Sequence, residues 1–370
     1  KKTIDSIPID LFLEIFSSLP AKSVGRCRCV SKLWASILGR QDFTELFLTR
    51  SSTRPRLLFA LEQDNGESLF YSSPQPQNPL EKSIVVAADY HTKFPTSRSR
   101  YQCNCSYASG LICFSEMRIS KRKGEDSVPV ICNPITGQYA ILPKLRTDPY
   151  GNTRSFLGFD PIDKQFKVLL FLDTRVYNEM VHILTLGTRE MSSSVIVCFD
   201  VRSEKFKLVE AEFYYGQLIN CKGKLSSIRL DYYFDGGRQR IRELCMWVLE
   251  DVEKHKWSKY VYPFPKNENG KCLFVVGMIA TGEIALLEEC LTSKPYVIYF
   301  NPERNILQRV KIQGVDLMLK RGGTVYAFED HVEDLSVHDA KQLKSSIFDL
   351  RIGSFKSINK FDTLCRLDDD

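Results

Sequence analysis

The sequence is short of the features that mark a membrane span, a metal site or a catalytic centre. It has no run of about 18 uninterrupted apolar residues, so no membrane-spanning helix is expected. Lys1, Lys2 and Asp5 open the chain without the apolar core of a secretory leader. Gly-x-Ser-x-Gly, the strained turn that presents a nucleophilic serine, is absent. So is Gly-x-x-x-x-Gly-Lys-Ser/Thr, the loop whose amides cradle phosphates. Histidine is scarce: His91, His182, His255, His331 and His338 lie near no serine or cysteine in a recognised nucleophile setting. Gly236-Gly237 and Gly322-Gly323 precede turn or strand residues rather than a helix, which makes them turns. Glu288-Glu289 and Asp368-Asp369-Asp370 read as solvated faces or tails, since paired glycosidase acids need a set separation in space. These absences point to a non-catalytic protein without a cofactor.

Cysteine is not scarce, but its spacing is wrong for metal. Cys27, Cys29, Cys103, Cys105, Cys113, Cys132, Cys198, Cys221, Cys245, Cys272, Cys290 and Cys365 include no Cys-x-x-Cys pair, so no metal site is expected. Many sit in apolar strand-like runs, where a thiol behaves as a small hydrophobe. A chain of 370 residues can enclose a core without disulfides, which implies reduced thiols and an intracellular protein of cytoplasm or nucleus. Charge of one sign is also weak, at a formal net +6. The sharpest basic cluster, Arg118, Lys121, Arg122 and Lys123, is followed at once by Glu125 and Asp126. With no interleaved aromatics it reads as a solvated loop before a nuclear address, and no nucleic-acid partner is expected.

What is present begins with a compact helical signal over residues 4–47. Pro8 suits the first turn of a helix, and Asp10 places a carboxylate near its positive end. Leu11, Phe12, Ile15, Phe16 and Leu19 recur at helical spacing until Pro20 stops the run. Ser23 to Val30 reads as a second helix. Ser31 can cap a third that carries Leu33, Trp34, Ile37 and Leu38. About 40 residues cannot enclose that much apolar surface. The remainder must meet either the following domain or a separate protein.

The run Ile7-Pro8-Ile9-Asp10-Leu11, Glu14-Ile15-Phe16 and Leu19-Pro20-Ala21-Lys22-Ser23 resembles the F-box, as does Arg26-Cys27-Arg28-Cys29-Val30-Ser31-Lys32-Leu33-Trp34. In that family the first helix and its turns bind a Skp-type adaptor, which bridges to a cullin scaffold. The resemblance carries this role onto Pro8, Leu11, Ile15, Leu19, Pro20, Val30 and Trp34, with Trp34 also a candidate for the core beneath the surface.

Ser51-Ser52-Thr53-Arg54-Pro55 reads as a hinge, and beyond it the texture changes to short apolar strands between turn residues. Leu57 to Leu61 and Leu69 to Tyr71 flank Asp64-Asn65-Gly66, a hairpin signal. A strand–turn–strand unit then repeats, with its polar turn opening at Asn133, Asp160, Asp200, Glu250-Asp251 and Asn301. Those side chains can satisfy turn amides, which accounts for their recurrence. The last three units begin at 198, 248 and 299, close to the ~50-residue period of a kelch-like propeller blade. A β-sandwich would give the turns without the period and ranks second.

Residues 100–335 resemble the plant F-box-associated domain through Ser109-Gly110-Leu111-Ile112-Cys113, Asn133-Pro134-Ile135-Thr136-Gly137 and Leu142-Pro143. Further matches are Gly158-Phe159-Asp160-Pro161, Phe166-Lys167-Val168-Leu169, Thr185-Leu186-Gly187 and Trp247-Val248-Leu249-Glu250-Asp251. The resemblance implies a β-propeller-like domain that recognises a target protein. Because such domains also host enzymes, it does not by itself exclude catalysis. The expected organisation is α+β: a three-helix F-box over 1–50, a linker at 51–56, an all-β propeller-like domain over 57–335 and a tail at 336–370. The implied function is target recognition for a cullin-based ubiquitin ligase, the alternatives being an F-box protein outside any ligase or one with impaired target binding.

One departure bears on the last alternative. Family members continue after Thr-Leu-Gly with a tryptophan-containing strand, a blade edge and a Gly-Ile-x-x-Asn-Gly type strand. Here Met191-Ser192-Ser193-Ser194 runs straight into Val195-Ile196-Val197-Cys198, and a degenerate unit at Ile183-Leu184-Thr185 lies only 15 residues before the unit at 198. Most of one blade is therefore expected to be missing, with Val176 to Leu186 pairing onto Val195 to Val209 as one way to close the ring.

Overall fold

The computed structural model describes residues 8–335, apart from 64–65, 77–84, 96–104, 118–127, 143–151, 161, 163–164, 174–193, 201, 204, 212, 214–215, 266–272, 289–295 and 315–324. The basic cluster near Arg118, the 183–185 unit, the Val176–Leu186 segment, Gly322-Gly323 and the 336–370 tail all lie outside the described residues.

Four helices open the chain where three were expected: α1 (Ile9–Ser17), α2 (Ala21–Arg28), α3 (Lys32–Leu38) and α4 (Gln41–Ser52). Pro8 and Pro20 sit just outside α1 and α2 with extended ψ of 137° and 149°, so each begins a helix without belonging to it. The second helix accordingly starts two residues before Ser23. Ser31 caps α3 as expected, its Oγ accepting from Trp34 N at 3.1 Å. Helix α4 is the correction. Phe43 and Phe47, one turn apart, are fully buried, while Asp42 and Arg50 complement the two ends of its dipole. Its last turn takes in Ser51 and Ser52, residues expected to begin the linker.

Strands fill the rest: β1 (Arg56–Glu62), β2 (Glu67–Pro74), β3 (Val85–Ala87), β4 (Asp89–Pro95), β5 (Cys105–Ala108), β6 (Leu111–Met117) and β7 (Val128–Cys132). Next come β8 (Tyr139–Ile141), β9 (Asn152–Asp160), β10 (Gln165–Asp173), β11 (Ser194–Asp200), β12 (Lys205–Ala211), β13 (Gln217–Cys221) and β14 (Lys224–Asp235). The last are β15 (Arg238–Asp251), β16 (Lys256–Pro263), β17 (Leu273–Met278), β18 (Ile284–Glu288), β19 (Tyr296–Asn301), β20 (Ile306–Gln313) and β21 (Val325–His331). They form the sheets β5-β6-β7-β8, β13-β14-β15-β16, β17-β18-β19-β20-β3 and β21-β1-β2-β4, with two hairpins, β9-β10 and β11-β12.

The recurrent turn residues work as expected. Asn133 Oδ1 accepts from Ile135 N and Thr136 N at 2.9 and 3.2 Å. Asp200 Oδ1 accepts from Arg202 N and Ser203 N at 2.8 and 2.9 Å. Asp251 Oδ1 takes Glu253 N and Lys254 N at 2.9 and 3.1 Å. Asp160 Oδ1 accepts from Ile162 N and Asn301 Oδ1 from Arg304 N, both at 2.9 Å. Each side chain thereby satisfies donors that no strand partner reaches.

Period-two alternation then packs sheet on sheet. On β1, Leu57, Phe59 and Leu61 share a cluster with Leu287, Val297 and Tyr299, while Leu58 and Ala60 face Ile112, Phe114 and Val130. On β15, Leu244, Met246 and Val248 meet Ile284, Leu286 and Phe300, whereas Cys245, Trp247 and Leu249 meet Ile196 and Val209 of the β11-β12 hairpin. On β6, Leu111 and Cys113 turn toward Leu157 and Val168 of β9-β10. These shared cores give a linear succession: β11-β12, the β13–β16 sheet, the β17–β20 sheet, the β1 sheet, the β5–β8 sheet, then β9-β10. Among the described residues no core cluster joins β9-β10 to β11-β12, the junction where the sequence is short.

The last strand closes the β region onto its beginning. β21 pairs antiparallel with β1, Val325 opposite Leu61 and His331 opposite Arg56. The short β3 runs parallel to β20, Val85 opposite Lys311, and stitches two neighbouring sheets together. On β21 the Glu329 carboxylate lies directly over Gly277 of β17, where a Cβ would come within 2.0 Å of it. Burial holds the Glu329 carboxyl up at about 7, with Asp330 adding to the shift. Glu288, expected to be solvated, is instead 4% exposed; it ends a strand whose residues are all buried.

Two outcomes follow. The ionised form of Glu329 is disfavoured in the fold, so its cost is present above pH 7 and gone below the unfolded carboxyl value near 4.5. Glu329→Gln should raise stability at pH 8 by about 1–2 kcal/mol and leave it unchanged at pH 4.5, as read by denaturant melts at both values. Among the eight described cysteines, all free, Cys113, Cys132 and Cys245 are buried and Cys29 is exposed, while Cys198 proves only half-buried. Burial pushes Cys113 up to about 12 and raises Cys132 as well. Native thiol labelling followed by mass spectrometry should modify Cys29 rapidly and spare Cys113 and Cys132 until the protein unfolds.

Candidate adaptor-binding surface

Helix α1 divides its apolar residues between two directions. Phe12 and Phe16, four residues apart, are buried against Val24, Leu38, Phe43 and Phe47. Leu11 and Ile15, also four apart, point outward with 55% and 52% of their surface exposed. Pro8, exposed at the helix start, continues that stripe at the spacing of one turn. Leu19 is half-buried and Pro20 exposed in the turn between α1 and α2.

The other expected contact residues divide in the same way. Val30, just past α2, is 65% exposed. Trp34 is half-buried, its ring edge-on to Phe12 and Phe16 at 5.4 and 4.9 Å between centroids. It supports the wall beneath α1 while keeping one side open. Ile9, Leu33 and Leu48 are exposed apolar residues that the motif did not single out as contacts. Only their helix positions could have flagged them. A module this small leaving Ile9, Leu11, Ile15, Val30 and Leu33 in water is unusual, since burying each would contribute roughly 1.5–3 kcal/mol.

Hydrogen bonds fix the backbone that carries this surface. Arg54 donates to the carbonyls of Ser17 and Ser18 at 3.1 and 2.5 Å, capping the end of α1. Arg28 donates to Leu38 O at 2.5 Å and does the same for α3. Arg50 pairs with Glu14, tying α4 to α1. Ile135, from the β7–β8 turn, packs against the module core.

The described residues hold one close group of potential metal ligands, Asp231, Glu243 and Cys245. Arg229 Nε binds Asp231 Oδ1 at 2.8 Å, and the Cys245 thiol is pushed up to about 11, by burial first and then by the two carboxylates. A protonated thiol beside a paired carboxylate is a poor ligand set. No described helix is long and apolar enough to cross a membrane.

Comparison with known proteins places these observations. Residues 4–46 match the model of the F-box domain, and residues 56–194 and 188–332 match that of the F-box associated beta propeller domain. F-box protein At3g57590 of Arabidopsis thaliana is 51% identical over 397 residues, spanning 93% of this chain and 94% of the relative. F-box only protein 12 of the same plant is 45% identical over 390 residues, covering 92% of this chain and 85% of the relative. F-box protein At2g15640 is 42% identical over 420 residues, covering 92% and 96%.

The propeller match comes in two stretches that meet at 188–194, where the internal period runs short. An alignment of 397 residues that takes in 93% of a 370-residue chain leaves about 50 positions filled only in the relative, the size of a ~50-residue blade repeat. Inserting the family's consensus blade segment after Ser193 of the full chain should therefore raise the melting temperature by at least ~2–4 °C. An unchanged melting temperature would make the break an ordinary short loop. With a helical module of F-box type, a propeller match over most of the remaining chain and Arabidopsis F-box proteins as relatives along nearly the whole chain, this chain belongs to the family of plant F-box proteins that carry an F-box-associated β-propeller.

Proposed function

We propose that the chain is the target-recognition subunit of a cullin-based ubiquitin ligase. In this reading Pro8, Leu11, Ile15, Leu19, Pro20 and Val30 meet a Skp-type adaptor, which bridges to the cullin, while the propeller holds a target protein. Trp34 sets the position of α1 from beneath. The chain itself is an adaptor subunit without catalytic residues or cofactor, working inside the cell.

The observation that carries the reading is the split of α1. Phe12 and Phe16 are buried within the module, and Leu11 and Ile15 stand exposed beside them. Intramolecular packing has thus claimed one face and left the other for a partner. A second reading, weakened target binding, draws on the short internal period before the unit at 198: a blade missing there would cost one sector of the ring.

Leu11→Asp or Ile15→Asp should abolish capture of a purified plant Skp-type adaptor. Burying an unpaired carboxylate at such a contact costs on the order of 3 kcal/mol or more, a loss above ~100-fold. Both side chains are solvent-exposed in the free protein, so circular dichroism and the melting temperature should stay at wild-type values. Undiminished capture by either folded variant would remove the reading, and capture of adaptor without cullin would place the protein outside a ligase.

A further inference from the structure

Two residues beyond β21 the chain lies against the helical module instead of the ring. Glu333 Oε2 accepts a hydrogen bond from Ala21 N at 3.1 Å, across 312 residues of sequence. Ala21 opens α2, whose N-cap is Pro20; this helix has no local side-chain cap and no acidic residue in its first turn. A helix start leaves its first amides without partners, and a proline side chain cannot accept from them. The carboxylate that meets this need comes from the far end of the chain, and its charge also suits the positive end of the helix.

The surroundings hold Glu333 in place. It is 5% exposed, and Arg56 Nε stands 3.9 Å from its Oε1. Arg56 is itself fixed by donating to Ser72 Oγ at 2.7 Å, Ser72 O at 3.0 Å and Asp89 Oδ2 at 2.7 Å. Beside it, Lys22 of α2 donates to Tyr90 O of β4 at 2.8 Å. Two residues on, Leu335 is 4% exposed and completes the cluster of Phe12, Phe16, Val24, Leu38, Phe43 and Phe47.

We propose that Glu333–Leu335 is a strap through which the closing strand β21 sets the α1–α2 turn, and that Glu333 is a positioning residue for adaptor docking. This rests on the adaptor reading given above. The turn Ser18-Leu19-Pro20 is held from one side by Arg54 on the carbonyls of Ser17 and Ser18, and from the other by Glu333 on Ala21 N. The strap reaches that position only when β21 lies beside β1. A chain whose ring has not closed therefore presents a loosened adaptor surface, and docking is coupled to completion of the β domain.

The test uses the full chain and its variants Glu333→Ala, Glu333→Gln and Leu335→Asp. Hydrogen–deuterium exchange at Ala21 to Val24 is measured alongside affinity for a purified plant Skp-type adaptor. Glu333→Ala should speed exchange at those amides and weaken adaptor binding by about 5-fold or more, the loss that removing one helix cap produces. Protection of β6 and β18 should stay at the wild-type level. Glu333→Gln keeps an oxygen acceptor and should recover part of both effects, which general destabilisation would not produce. Leu335→Asp should loosen all four helices. Wild-type exchange at Ala21 to Val24 in Glu333→Ala and Leu335→Asp would overturn the strap, as would unchanged adaptor affinity beside a wild-type chain that binds. Failure of the wild-type chain to bind would sink the adaptor reading and with it the docking role, while the exchange measurement still decides whether the strap exists.

Discussion

The antiparallel pairing of β21 with β1 brings the two ends of a long β region side by side, Val325 opposite Leu61 and His331 opposite Arg56. Without it, β1 would have an open edge on one side and its sheet would lose a strand. With it, residues 333–335 arrive beside α2, and the helical module gains a cap and a core residue that its own sequence does not supply. The buried Arg56, the first residue of β1, shares this corner with Ser72, Asp89 and Glu333. The pairing of β21 with β1 and the packing of the helices therefore meet at one place, and residues 333–335 have a structural role there.

Packing on both faces is the second constraint. A sheet inside the succession must be apolar on each side, which is why β1, β6 and β15 carry near-continuous apolar runs instead of a half-polar alternation. The β9-β10 and β11-β12 hairpins stand at the two ends of that succession, each packed on one neighbour through a described core. The two stretches that match the propeller model overlap at 188–194, in the sequence between these hairpins. The helical module and the β21–β1 pairing stand apart from that overlap in both sequence and packing.

Much of this was legible in the residues. Pro8, Pro20, the apolar spacing and the Ser31 cap placed α1, α2 and α3 to within two residues, and the Asn and Asp turn residues marked five hairpins whose side chains do accept turn amides. The propeller class followed from the ~50-residue spacing of the last three. Helix α4 was not among the expected helices, although Phe43 and Phe47 stand one turn apart; Ser51-Ser52-Thr53-Arg54-Pro55 has the composition of a hinge and drew the boundary too early. Glu288 was misjudged because adjacent acids usually face water, whereas this one ends a strand enclosed on both sides. Glu333 and Leu335 gave no local signal at all. Their partners lie some 300 residues away in sequence, and only the folded topology joins them.

The central claim is that a helical module with one face closed by its own fold offers the other to an adaptor. Hydrogen–deuterium exchange of the full chain with and without a purified plant Skp-type adaptor tests it most directly. The account predicts new protection confined to residues 9–20 and 28–34, with the β sheets unchanged. Protection confined to the sheets, or none at a saturating adaptor concentration, would contradict it.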